Sequence, residues 1–315
     1  MKISGFSFVR NAVKLYYPIS EAIRSILPIV DEFVVAVGQG DSGDATREVI
    51  EAIGESKVRI IDTIWEEQYC KRGAINAIQT DVAKNACSGD WLFYLQADEV
   101  VHEKQLPIIK RRCEELLDNG NVEGLLFNYR HFWGDYDHYH NSHGWYAHEV
   151  RVIRNIPEIH SFESAQSFRY FDEYFKPHQR EKTRKLNVAA VDAEIFHYGW
   201  VRPPHLMQVK NRAFFSIHWG RNRANNHFDH EPAEFDFGPL DRLETYTGTH
   251  PKVMQERMKR MDWGDKLQYC GKPNPNRPLH KHERLRYRLH TWMENTFFRG
   301  EQICAFKNYN LIKHV

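Results

Sequence analysis

The sequence has little cysteine. Cys70, Cys87, Cys113, Cys270 and Cys304 form an odd, scattered set without a Cys-x-x-Cys spacing, which argues against a disulfide framework or a zinc ribbon and fits a reducing cytoplasm. Long apolar runs are absent too: none approaches the roughly 20 residues that span a bilayer. Arg10 and Asn11 interrupt the short apolar N-terminal stretch before it could form a signal-peptide core. Neither charge sign dominates, with a net charge of +1, so no bulk attraction to nucleic acid is expected. The segment FVRNAV lacks glycine, which argues against the Gly-x-Gly-x-x-Gly turn of a dinucleotide-dependent oxidoreductase. No internal repeat or low-complexity linker interrupts the chain.

What is present is hydrophobic periodicity that alternates between strand and helix. Residues 2–9 read as a buried first strand, and Ala22, Ile23, Ile26 and Leu27 fall on one helical face before a break near Pro28. EFVVAVG and VRIIDTI supply two more strands. Between them lie a Gly-rich turn at Asp41 to Asp44 and a helix from Thr46 to Ile53. KRGAINAIQTDVAKNA repeats apolar residues at Ile75, Ile78 and Val82, and Gly89 is expected to end that helix before the strand WLFYL. This alternation implies βαβ crossovers and a largely parallel sheet with ligands at the carboxyl ends of its strands. After Gly120 the pattern changes. EGLLFNYRHFWGDY and HEVRVIRN look like antiparallel strands, and helical periodicity returns from Pro203 onward.

Two acidic spots fall at strand ends. The apolar run WLFYL leads directly into Gln96, Asp98 and Glu99; an unpaired buried carboxylate is costly, so a cation is one explanation and a helix N-terminus favouring acids is the other. Asp41, Ser42 and Asp44 stand before a helix, where they would bond a nucleotide or simply cap it.

Taken together, FVRNA, DSGDAT, KRGAINAI and QADE, in that order and spacing, resemble the family 2 glycosyltransferases of GT-A fold over roughly residues 2–200, and more loosely to about 260. The resemblance implies a Rossmann-like mixed sheet flanked by helices, with a mainly helical C-terminal extension. Residues 1–120 would form a nucleotide-sugar-binding α/β half, 121–202 the acceptor side and 203–315 the extension. It further implies transfer of a sugar from a nucleotide-sugar donor to a glycan, lipid-linked or other hydroxyl acceptor, inverting and dependent on Mn²⁺ or Mg²⁺. Asp98 would be the principal metal ligand, with Phe8, Arg10, Asn11, Asp41, Asp44, Arg72, Asn76, Gln96 and Ala97 around the donor.

His197, in AEIFHYGWVRPP, corresponds to a C-terminal His that many GT-A enzymes use as a final metal ligand; otherwise it is a structural imidazole. Glu149 and Glu163 are the candidates for general base, or else ion-pair partners of nearby arginines. Trp200 and Arg202 are assigned to the acceptor. The sequence departs from the family at Gln96, which replaces the first Asp of the Asp-x-Asp signature, and at Gln39-Gly40, which replaces an acidic pair. Those departures leave open a degenerate, non-catalytic sugar-nucleotide binder.

The histidine-rich loop from His131 to His148 matches no zinc spacing. Trp133, Trp145 and Trp200 are suited to sugar stacking or to burial. The segment KHERLRYRLHTW is either a solvated helix face or a peripheral contact with anionic lipid at the inner face of a membrane, or with a phosphorylated glycan.

Overall fold

The computed structural model describes residues 1–303, 305–313 and 315, so Cys304 lies outside the described residues. The fold is a mixed α/β arrangement built on one curled sheet. β1 (Ile3–Val9) is central to its first half, pairing in parallel with β2 (Glu32–Gly38) and β4 (Trp91–Tyr94). β3 (Val58–Thr63) adds to β2, also in parallel. β1, β2 and β4 are buried on both faces, and β3 is partly exposed at the edge. In β2, Val35 and Val37 face one core with α1 (Ile19–Ile26) and α2 (Thr46–Glu51), whereas Val34 and Ala36 face the other with α3 (Ala74–Asn85).

Two expected helix ends shift. α2 stops at Glu51, although Ile53 beyond it remains buried. α3 stops at Asn85, and Gly89 serves a tight approach instead of a helix end. A Cβ on Gly89 would lie 2.7 Å from the backbone nitrogen of Ser4, so its absence lets the turn close against β1.

After β4 the chain forms β5 (Glu99–Val101) and α4 (Leu106–Glu115), then β6 (Gly124–Trp133), β7 (His138–His140) and β8 (His148–Arg154). β6 and β8 pair antiparallel, as their alternation suggested, and β8 also pairs antiparallel with β4. The segments on either side of residue 120 therefore share one sheet. β9 (Ile159–Phe162) and β10 (Ser167–Phe171) close the far edge.

The 18-residue β11 (Thr183–Trp200) positions the site. Its end runs between β6 and β5, with His197 opposite His131 on one side and Glu99 on the other. Register shifts after Ala190 and His197 mark irregularities in the ladder with β6.

Beyond Pro203, α5 (Pro204–Trp219), α6 (Arg221–Phe228), α7 (Gln255–Lys259) and α8 (Leu285–Phe297) alternate with irregular segments. A third apolar cluster ties this region to the sheet, joining Phe132, Phe196 and Tyr198 to Met207, Phe237 and Trp263. No helix among the described residues is long and apolar enough to cross a membrane.

Candidate functional site

The carboxyl ends of β1 and β4, the turn after β2, the end of β11 and the second half of α5 line a cavity of about 670 Å³. Ligands of open α/β sheets sit at such strand ends.

The adjacent acids Asp98 and Glu99 have separate fates. Glu99 is fully buried and accepts four hydrogen bonds: from Arg151 Nε and Nη2 and the Tyr129 hydroxyl at 2.8 Å each, and from the Gln96 backbone N–H at 3.0 Å. Four donors match the four lone-pair sites of a carboxylate, so Glu99 is committed to holding the sheet together. Asp98, also buried, lines the cavity instead. Burial pushes its pKa up, while the charges of Lys210 and Arg202 pull it down.

His197 Nε2 lies 3.7 Å from Asp98 Oδ2, and the proton on this imidazole follows from its neighbours. His131 Nε2 is 2.8 Å from the carbonyl of Tyr146, so Nε2–H is the donor there. Burial holds the pKa of both imidazoles at about 3, which makes both neutral. His131 Nδ1 is then an acceptor, and His197 Nδ1, 3.0 Å away, donates to it. That assignment leaves the Nε2 lone pair of His197 facing the Asp98 carboxylate. A divalent cation suits such a pair, one hard oxygen and one neutral imidazole with its other nitrogen fixed by a second residue. Gly199 makes the approach feasible: a Cβ at this position would lie 2.6 Å from both Asp98 Oδ2 and His197 Nε2. Among the described residues no third His, Cys, Asp or Glu joins them, so further coordination would come from ligand or water.

Positive charge surrounds the acid. Lys210 on α5 packs 4.5 Å over the Trp200 ring, and burial, assisted by Arg202, lowers its pKa to about 7 against the opposing pull of Asp98. Arg202 is fully buried, donating to the carbonyls of Leu15 and Gly199 and lying 4.7 Å over the Tyr17 ring. On the opposite wall Lys14 Nζ sits 2.5 Å from Asp41, and that hydrogen bond holds the Asp41 pKa below the usual carboxylate range. Arg10 is 3.6 Å from the same carboxylate and 5.8 Å from the Trp65 ring. Asn11 adopts φ of +55° and accepts the Asp41 N–H at 2.7 Å.

No protein-family model matches the chain, and no curated protein matches it. Among solved structures it is similar in part to glucosyl-3-phosphoglycerate synthase from Mycobacterium tuberculosis, crystallised with Mn²⁺, UDP and phosphoglyceric acid. The identity is 21% over 41% of this chain and 43% of that one, with a TM-score of 0.30. TarS of S. aureus matches at 14% identity over 72% of this chain and 43% of that one, with a TM-score of 0.39. Mannosyl-3-phosphoglycerate synthase from Rubrobacter xylanophilus matches at 19% over 42% and 41%, with a TM-score of 0.30. The match thus spans less than half the length of each of these proteins.

Of the residues singled out in the sequence, Phe8, Arg10, Asn11, Asp41, Asn76, Gln96, Ala97, Asp98, His197 and Trp200 line the cavity. Gln96 spends its amide N–H on the carbonyl of Ala165 at 3.0 Å. Five others lie off the wall. Asp44 accepts from the backbone N–H groups of Lys14 and Thr46 and so shapes the wall without joining it. Arg72 is exposed, and its backbone N–H bonds the carbonyl of His218 at the end of α5. Arg202 supports the site from behind. Glu149 is buried in β8 beside Gln166, and Glu163 pairs with Arg180 at 2.6 Å. Sequence reasoning missed Lys14, Lys210 and the role of His131. Lys210 left one signal, a lysine three residues after Met207 on the buried face of an amphipathic helix.

Proposed function

We propose that this chain is a glycosyltransferase that moves a sugar from a nucleotide-sugar donor to a glycan, lipid-linked or other hydroxyl acceptor, with inversion and with Mn²⁺ or Mg²⁺. The observation that carries this reading is the His197 lone pair facing Asp98 in the cavity. It is supported by the convergence on one cavity of residues from FVRNA, DSGDAT, KRGAINAI and QADE, the four segments that resemble family 2 glycosyltransferases.

In this reading Asp98 and His197 hold the cation, which neutralises charge developing on the departing diphosphate. Lys210 supplies further positive charge to the phosphates, and Arg202 adds a fixed buried charge behind Asp98. Arg10, Asn11, Asp41 and Asn76 bind the nucleoside, with Phe8 and Trp65, ring centroids 6.0 Å apart, as aromatic surface for its base. Asp44 and Arg72 position that wall through their contacts with Lys14 and His218. Trp200, in the cavity wall, is assigned to the acceptor side.

Of the two candidate bases, Glu163 is the better placed, because the adjacent Ser164 lines the cavity; acting as base would require its carboxylate to leave Arg180. Glu149 is enclosed by the sheet. Residues 1–120 would then serve the donor, 121–202 the acceptor and 203–315 the cover that brings Lys210.

Thermal melting with a panel of UDP-, GDP- and TDP-sugars, with and without Mn²⁺, tests the reading. Stabilisation by one donor class that needs the metal and vanishes in Asp98→Ala supports it, and full metal-dependent stabilisation in that variant rejects it. A second reading, a non-catalytic sugar-nucleotide binder, is favoured by the absence of both Glu149 and Glu163 from the wall. Metal-dependent binding without hydrolysis or transfer across plausible acceptors would select it.

A further inference from the structure

α8 is mounted with its apolar face outward. Leu285, Leu289, Trp292, Met293 and Phe297 recur at helical spacing and share one side of the helix. All five are exposed, Leu285 at 68%, Trp292 at 58% and Phe297 at 67%. The opposite, polar side is the one that packs on the protein. Thr291 Oγ1 accepts the His143 N–H at 3.0 Å, Glu294 Oε1 lies 2.6 Å from His143 Nδ1, and the His143 and His290 rings are 4.7 Å apart. A helix that serves only its own domain buries the apolar side, so this inversion calls for an occupant outside the chain.

The surrounding charge indicates which occupant. Between Lys281 and Arg299 the exposed charged residues are Lys281, Arg284, Arg286, Arg288 and Arg299, all basic. The two acids of the stretch are buried and engaged, Glu283 with Arg277 and Glu294 with His143. A second copy of the chain fits poorly, because a two-fold contact would set these arginines against their own counterparts. An apolar stripe fringed by arginine and bearing an exposed tryptophan has the chemistry of a helix lying in the headgroup region of an anionic bilayer.

We infer that α8 docks the protein on anionic membrane, with Leu285, Leu289, Trp292, Met293 and Phe297 entering the interface and the arginines contacting lipid phosphates. The segment just past α8 reaches the cavity wall. Gln302, just past α8, donates to the carbonyl of Trp145 at 2.6 Å, and Trp145 lines the cavity wall. The membrane contact stands without the catalytic reading, since its readout is binding alone.

Co-sedimentation of the full chain with vesicles of phosphatidylcholine, and of phosphatidylcholine with phosphatidylglycerol, tests the inference. Wild type is expected to pellet with the anionic vesicles and not with the neutral ones. Leu289→Glu/Trp292→Glu should bind at least about ten-fold more weakly while melting within about 2 °C of wild type. If the glutamates disturb folding, Leu289→Ser/Trp292→Ser repeats the comparison. Failure to pellet with anionic vesicles, or pelleting undiminished in the variant, overturns the inference. A dimer dissolved by the variant, or retention on an acidic protein without vesicle binding, would also overturn it and assign the face to that partner.

Discussion

His197 Nε2 and Asp98 Oδ2 face each other at 3.7 Å, and the hydrogen bonds of His131 make His197 Nε2 an acceptor like the carboxylate oxygen it faces. Asp98→Asn, whose amide can donate to Nε2, should therefore raise stability without metal by about 1 kcal/mol and abolish the response to Mn²⁺. Gly199→Ala should lose the same response while remaining folded, because its methyl would intrude between the two ligands. Melting curves with and without Mn²⁺ read all three proteins. A Gly199→Ala protein with the wild-type metal response would place the cation elsewhere.

Lys210 has its pKa lowered to about 7 by burial, against 10.5 for an ordinary lysine. A diphosphate arriving beside it should favour the charged form, so binding at pH 8 should take up a proton and weaken as pH rises above about 7. Titration calorimetry of UDP in buffers of different ionisation enthalpy measures the uptake. Lys210→Met should remove it and weaken binding by about ten-fold.

Burial raises the Glu149 pKa to about 7 from an ordinary 4.5. The native state therefore holds this proton where the unfolded chain releases it. The associated stability is fully present below about pH 4.5 and lost as pH climbs through about 7. Urea denaturation at pH 5 and pH 8 should show this decline in wild type, and Glu149→Gln should flatten it. An unchanged decline in the variant would mean that another group carries the proton.

If Glu163 activates the acceptor, Glu163→Gln should cut the transfer rate by about 10²-fold or more while leaving donor binding unchanged. Glu149→Gln should keep transfer within a few-fold. The reverse ranking of the two rates would move the base to β8.

Arg151 and Glu99 are each almost wholly buried and joined by two 2.8 Å hydrogen bonds. Arg151→Met leaves a buried carboxylate without its counter-charge and should cost about 3–5 kcal/mol, measured by urea denaturation. Nucleotide affinity measured well below the unfolding transition should change little, because Glu99 does not line the cavity.

Local periodicity was enough to place β1 to β4, the helices between them and the strand end that carries Asp98, because burial on a two-layer sheet imposes its repeat on neighbouring residues. It also showed the change of pattern after Gly120. Three things depended on contacts between residues far apart in the chain. Which of two adjacent acids stays free was decided by Arg151, 52 positions after Glu99. The proton on His197 was decided by His131, 66 positions earlier. The position of Lys210 beside Asp98 was decided by the packing of α5 across the strand ends. In the sequence the α8 segment read as a basic, aromatic stretch, and only tertiary structure showed an apolar stripe facing out with the polar side inward. Hydrophobic burial is written into short stretches of sequence, whereas hydrogen bonds and ion pairs between distant segments exist only once the chain has closed on itself.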